Sequence, residues 1–224
     1  MEKISNLQGK SVAIVGMGKS WFDYNLAKSH GTHFDEVWAI NAVATVIYHD
    51  RVFMMDPASR FLDTDDAGGQ TSSMKNMLLE HEGPIYTCQL DDRCPGLVNY
   101  PVHQVVQDTN CHYLNNTVAY AIAFAYWNEV KNIKMFGVDF SYKGNLHFAE
   151  AGRGCVEFWL AKCIDAGMQI EVAASSSLLD TDVPAPQKLY GYHRLADPLI
   201  ILEDANGLQV KNIREVEIPK KPKE

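Results

Sequence analysis

The chain has 224 residues, 46% of them hydrophobic, and a formal net charge of −8. That length fits one domain with an extension, and the apolar content can fill an ordinary core. The acidic balance argues against sequence-independent binding to a nucleic-acid backbone, which needs a basic surface. The one basic cluster, Lys220-Lys221-Pro222-Lys223, reads as a solvated end. No apolar run approaches the ~20 residues of a membrane span, and the first residues, Met-Glu-Lys-Ile-Ser-Asn, lack a signal peptide's apolar core. The five cysteines (Cys88, Cys94, Cys111, Cys155, Cys163) form no C-x-x-C pair. Reduced thiols in a cytoplasmic protein, with no zinc site, are the expectation.

Residues 12–15, Val-Ala-Ile-Val, form a short apolar run that breaks at Gly16-Met17-Gly18. Such a run predicts a buried parallel strand. Gly16 and Gly18 permit a tight turn with no side chain between backbone and ligand, and Ser20 is placed to cap the following helix, whose first N–H groups would face an anion. The third glycine of a dinucleotide fingerprint is missing, and the spacing is not that of a Walker loop. A helix is expected over 21–29, strands over 36–41 and 51–56, and a long polar loop over 58–73. A short helix over 74–80 and strands over 84–88 and 102–106 follow. The densest helix signal runs over 117–130, opened by Asn115-Asn116 and apolar on all sides, which implies burial against a sheet. Then come a strand over 132–140, a helix over 153–166 and a strand over 169–173 that leads into Ser175-Ser176-Ser177.

This alternation predicts an α/β fold: a single Rossmann-like parallel sheet with helices on both faces. The expected division is a nucleotide-binding catalytic domain over 1–182 and an extension over 183–224 with the basic tail. In the extension, Ala205-Asn206-Gly207 between two alternating runs signals a β-hairpin, a possible surface for homo-oligomerisation.

Several polar residues fall where the strands end: the Gly16–Ser20 loop, Asn41, Asp56, Asn115-Asn116-Thr117, Asp139, Ser175 and Ser176. Ligands of open α/β sheets bind in the crevice beyond those ends. Singly, each residue caps a helix or turns a loop; jointly they point to a nucleotide pocket, with Gly16, Gly18 and Lys19 toward phosphate. Two triplets, Asp63-Thr-Asp65 and Asp180-Thr-Asp182, have the carboxylate pairing that holds a divalent ion on a diphosphate, although such triplets arise readily by chance in acidic loops. His147, in the interval between a strand end and the next helix, is a candidate general base. Tyr142 is a candidate partner for a leaving phosphate, His193 a second candidate base, and Arg153 a candidate partner for an anionic substrate.

Four stretches resemble the landmarks of the bacterial family 42 sialyltransferases: Gly-Met-Gly-Lys-Ser-Trp, Ala-Ile-Asn41-Ala, Asn116-Thr-Val-Ala-Tyr-Ala-Ile-Ala, and Lys-Asn-Ile-Lys-Met-Phe-Gly-Val-Asp139-Phe. They are similar also to the motility-accessory-factor glycosyltransferases and the 6-hydroxymethylpterin pyrophosphokinases of the same Rossmann superfamily. The resemblance spans about residues 11–180. It implies a Leloir-type, sialyltransferase-like glycosyltransferase that moves a sugar from a nucleotide-sugar donor to an acceptor hydroxyl of a glycan, a protein or a modified base, with no metal. It places Gly16, Gly18 and Ser20 along the phosphates, Asn41 toward nucleotide or sugar, Asn116 and Thr117 toward the base, and Gly137, Val138, Asp139 and Phe140 at ribose and base; Met17 and Lys19 complete the phosphate loop, and the strand-end pattern adds Asp56 as a carboxylate for hydroxyls or ring nitrogens. His147 takes the position of the general base and Tyr142 lies one residue from that of a phosphate-assisting tyrosine. Met17 and Lys19 depart from the family's asparagine and proline. Two other functions fit the same residues: a magnesium-dependent pyrophosphokinase acting on a pterin-like alcohol, and a nucleotide-binding protein without catalysis.

Overall fold

The computed structural model describes residues 2–65, 68–141, 144–191, 199–204 and 207–212. Two compact units emerge, residues 1–182 and 183–224. In the first, strand β1 (Ser11–Val15) lies inside a seven-stranded sheet, paired in parallel with β2 (Glu36–Ile40) and β6 (Asn132–Phe136). Beyond β2 follow β3 (Arg51–Phe53), β4 (Ile85–Thr87) and β5 (Leu97–Asn99); beyond β6 lies β7 (Gln169–Val172), and every pairing is parallel. Helices α1 (Trp21–Ser29), α2 (Ser59–Leu62), α3 (Thr71–Glu80), α4 (Val102–Thr109), α5 (Thr117–Trp127) and α6 (Leu146–Asp165) connect these strands.

Residues 12–15 are all buried because the sheet is covered on both sides. Alternate side chains divide between the two layers. Val12, Ile14, Trp38, Ile40 and Phe53 meet α4, α5 and α6, while Ala13, Val15, Val37, Ala39 and Val52 meet α1 and α3. The uniformly apolar α5 lies on the first of these faces, where Phe124 contacts Trp38, Phe53 and Tyr86 at ring-centre distances of 5.8, 5.5 and 4.7 Å.

Three expectations are corrected. The span 102–106 is helical, not a strand: its valines favour strand locally, but Val102, Val105, Val106 and Thr109 recur at helical spacing and Val105 and Thr109 are buried. The loop expected over 58–73 holds α2, a 3-10 turn at Gly68–Gln70 and the start of α3, anchored by buried Ala58 and Phe61. Helix α6 begins at Leu146 rather than 153, capped by the Asn145 side chain, which accepts the Phe148 N–H at 3.2 Å. Strand β5, a three-residue edge, has no counterpart in the sequence reading.

In the second unit, β8 (Leu199–Asp204) pairs antiparallel with β9 (Gly207–Asn212). Ala205 and Asn206 of the turn, His193 and the basic tail lie outside the described residues.

Phe124 is fully buried in the aromatic cluster. Phe124→Ala is expected to destabilise the first unit by about 3–5 kcal/mol, read from the urea midpoint at unchanged m.

Candidate functional site

Chain order reverses at β1: β2 to β5 extend to one side, β6 and β7 to the other. The loops that leave β1 and β6 therefore diverge over the carboxyl edge and open a crevice there. Backbone bonds lace them together. Gly16 N–H donates to Phe136 O and Gly18 N–H to Gly137 O, both at 2.8 Å. Gly137 N–H donates to Ser20 Oγ, and Ser20 N–H to Asp139 Oδ2, again at 2.8 Å.

The close approach of the two loops is what requires the glycines. A Cβ on Gly16 would lie 2.5 Å from Gly137 O, and one on Gly18 would run into the Asp139 carboxylate. The glycines make room for the β6 loop, and they also wall the smaller cavity. Gly137, at φ +65°, is equally closed to a side chain. Ser20 is fully buried and does not cap α1 with its side chain; its hydroxyl is committed to Gly137. Lys19 pairs with Asp182 at 3.3 Å and lines neither cavity described below.

A cavity of about 330 Å³ occupies the crevice, walled by Gly16–Gly18, Gly137–Ser141, Ile40, Asn41, Gln70 and Val118. Asp139 is only 3% exposed. Its Oδ1 is buried without a hydrogen-bond partner, as is Asn41 Oδ1. Both residues wall this cavity, and a buried acceptor without a partner calls for a hydrogen-bond donor.

A second cavity, of about 830 Å³, shares Ile40, Asn41, Val118 and Phe140 with the first. Asn41 and Phe140, the hinge between the two, hold left-handed φ values of +52° and +45°. Asparagine tolerates this region readily, whereas for a bulky residue such as Phe140 it is uncommon and costs backbone strain. Phe140 packs so tightly on α6 that a Cβ on Gly152 would lie 2.7 Å from its ring.

The larger cavity brings together Asp56, Arg60, Asn115–Thr117, His147 and Phe148. Asp56 accepts from Arg60 Nη1 at 2.7 Å. Asn116 caps α5, its Oδ1 taking the Ala119 N–H at 3.0 Å, and its Nδ2 donates to Gly152 O at 3.1 Å. Asn115 Nδ2 donates to Ala151 O at 3.0 Å. The two asparagines thereby tie the N-terminus of α5 to α6. His147 is not in a loop ahead of a helix: it is the second residue of α6, exposed, at the cavity wall.

Other candidates lie elsewhere. Arg153 sits within α6 and is paired with Glu157 at 2.8 Å and Asp180 at 2.7 Å, which push its pKa up. Ser175 binds Asp23 of α1, and buried Ser176 donates to Val138 O at 2.8 Å and so braces the β6 loop; neither serine lines either cavity. Asp63 is held by both Nη atoms of Arg93, which lowers its pKa; Arg93 also takes Asp91, whose pKa falls to about 2. Among the described residues no three potential metal ligands come together. Tyr142 lies outside the described residues. A further cavity of about 540 Å³ opens at the amino edge of the sheet, but its carboxylates Glu129 and Asp108 are taken by Lys3 and by Trp127 Nε1.

Sequence reasoning missed Gln70, Arg60 and Phe148. Arg60 had a signal, four residues after Asp56, had α2 been recognised; Phe148 adjoins His147. Gln70 had none, because it lay in what read as an undivided loop.

No protein-family model matches the chain, and no curated protein matches its sequence. Among solved structures, similarity is found to the sialyltransferase CstII from Campylobacter jejuni in complex with the substrate analogue CMP-3FNeuAc, at 20% identity over 76% of this chain and 82% of that one, with a TM-score of 0.49. An alpha-2,3-sialyltransferase from Campylobacter jejuni in apo form is similar at 15% identity over 82% and 84%, with a TM-score of 0.47. With both scores below 0.5, the functional reading rests on the chain's own residues.

The loop lacing yields a test. Ser20→Ala leaves the buried Gly137 N–H without an acceptor and is expected to cost about 1–3 kcal/mol. Gly137→Ala, which forces a Cβ against Gly16 at a left-handed φ, is expected to cost at least as much. Thermal melts of both variants check this; unchanged midpoints would contradict the lacing.

Proposed function

We propose that this protein is a Leloir-type glycosyltransferase, taking a nucleotide-activated sugar at the carboxyl edge of its sheet. The observation that carries the reading is the pair of adjoining cavities that meet at Asn41 and Phe140, with two buried, unsatisfied acceptors on residues that wall the smaller and a histidine in the wall of the larger. The order of Asn41, Asn116-Thr117 and Gly-Val-Asp139-Phe along the chain supports it, as motifs shared with sugar-nucleotide enzymes.

The smaller cavity suits an uncharged, donor-rich group such as a ribose diol or an amino-bearing base, because Asn41 Oδ1 and Asp139 Oδ1 await N–H or O–H donors. The Asp139 carboxylate disfavours phosphate there. The phosphate instead suits the larger cavity, near Arg60 and the first turns of α5 and α6. His147 in that cavity takes the proton of the acceptor hydroxyl as its oxygen attacks the anomeric carbon; the bond from that carbon to phosphate oxygen breaks, and the nucleoside phosphate leaves with the electron pair. Tyr142 is assigned to that departing phosphate by sequence position. Lys19 lines neither cavity and is given no part in this step.

A thermal-shift panel of CMP, UDP, GDP and ATP derivatives identifies the donor, since ligand at about 100 times its Kd adds ~2.7 kcal/mol to stability. His147→Ala is expected to lower kcat by about 100-fold or more with donor affinity little changed. No response to any nucleotide, or full turnover by the variant, would overturn the reading.

A further inference from the structure

At the amino edge of the sheet, away from both cavities, His49 and His81 meet rim to rim, with planes 16° apart and ring centres separated by 5.0 Å. Their Nε2 atoms approach to 2.8 Å. Both side chains are half-buried. The outer nitrogens fix where the protons are. His81 Nδ1 receives the Gly83 N–H at 2.8 Å, so it carries no proton of its own. The His81 proton is therefore on Nε2 and is donated to His49 Nε2. The remaining His49 proton is then on Nδ1, donated to Ile47 O at 2.9 Å. One neutral tautomer of each ring satisfies the whole relay.

No charged form does. A second proton on His81 would set Nδ1–H against Gly83 N–H. A second proton on His49 would put it on Nε2, facing His81 Nε2–H; His81 could accept it only by moving its own proton to Nδ1, again against Gly83. Either way, the first proton taken up breaks a link.

The two residues stand at equivalent places in neighbouring connections. The chain leaves β2 at Asn41, crosses through the Asn41–Thr45 turn and reaches His49 just before β3. It enters α3 beside Gln70 and, about 15 Å on at 1.5 Å per residue, leaves it at His81. Asn41 and Gln70, the near ends, both wall the smaller cavity. The imidazole pair joins the far ends.

We propose that the His49–His81 pair is an acid-sensitive clasp that holds α3 against residues 41–49 and so fixes the Asn41–Gln70 wall of the smaller cavity. Only the last step, that this wall holds a ligand, rests on the proposed function. Burial and the neighbouring His49 lower the His81 pKa, while Glu82 acts the other way. Asp50, next to His49, is committed to Val37 N–H and Tyr48 OH, and Gly96, packed on Gly83, offers backbone alone. With the folded pKa depressed, the clasp contributes in full above the unfolded histidine value of about 6.5 and weakens as pH falls below it.

Imidazole 15N NMR and hydrogen exchange on the full chain test the clasp. The NMR is expected to show an unprotonated His81 Nδ1, a protonated His49 Nδ1, and His81 titrating below about 6.5. Protection of α3 and of residues 41–49, corrected for intrinsic rates, is expected to fall about tenfold or more between about pH 7.5 and about pH 5.5. In His81→Asn, whose side-chain oxygen can still accept from Gly83, that pH dependence is expected to vanish. Constant protection in the wild type, or the same dependence in the variant, would overturn the proposal. Should the variant not fold, a proton on His81 Nδ1 near neutrality in the wild type would overturn it. Acid opening of α3 in a protein that binds no nucleotide would leave the clasp standing and remove the proposed function.

Discussion

The carboxyl edge of this sheet depends on how closely two loops approach. Residues 16–20 leave β1 and residues 137–140 leave β6, and their backbones meet at distances that exclude any Cβ. The four hydrogen bonds between them join buried donors to buried acceptors, which the fold could not leave unpaired. From the β7 side, Ser176 holds Val138 O and Ser177 holds Asp139 O. Gripped on both sides, residues 138–140 have little freedom. Asp139 gives one oxygen to Ser20 and keeps the other buried without a partner, and Phe140 is pressed at a left-handed φ against Gly152. The functional surface is a consequence of this backbone contact.

Fold class was legible because the sheet is buried on both faces. Residues 12–15, bounded by Gly16, admit only a buried strand, and the apolar α5 can only lie between layers. Helix α1 was read to the residue, since His30-Gly31 stops it. The errors fall where packing overrides local preference. The valines of α4 favour strand, yet Val105 and Thr109 find their partners on a helical stripe. The first turns of α6 carry exposed Leu146, His147 and Phe148, so no apolar periodicity marks its start. Strand β5, three residues at an edge, is too short to leave a pattern.

The site was legible in part, for a reason that can be stated physically. Sequence order predicts which residues follow a strand, and Asn41, Asp56, Asn116, Thr117, Asp139 and His147 do reach the two cavities. It does not predict which way a polar side chain turns once there, because a bond to a loop far along the chain decides that. Ser20 turned to Gly137, Ser176 to Val138 and Lys19 to Asp182. The glycines of residues 16–18 carry the spelling of a phosphate loop for a different reason, the fit of one backbone against another. The same composition serves both purposes, so only the partner loop distinguishes them.

Magnitudes decide how a nucleotide would lie across the trough. The first turn of α1 was expected to attract phosphate to the β1 loop, but a helix N-terminus contributes only about 0.3–1 kcal/mol at an exposed site. A phosphate about 4 Å from the buried Asp139 carboxylate would meet a repulsion of ~4 kcal/mol per unit charge at an effective dielectric constant near 20. Repulsion wins, and Ser20 N–H already spends its donor on Asp139. A hydroxyl or amino group in that position reverses the sign: it donates to the unsatisfied Asp139 and Asn41 oxygens and relieves the desolvation they now bear. The proposed polarity of the ligand, uncharged end in the small cavity and phosphate beside Arg60 in the large one, follows from the contrast between the buried Asp139 carboxylate and Asp56, whose charge Arg60 offsets.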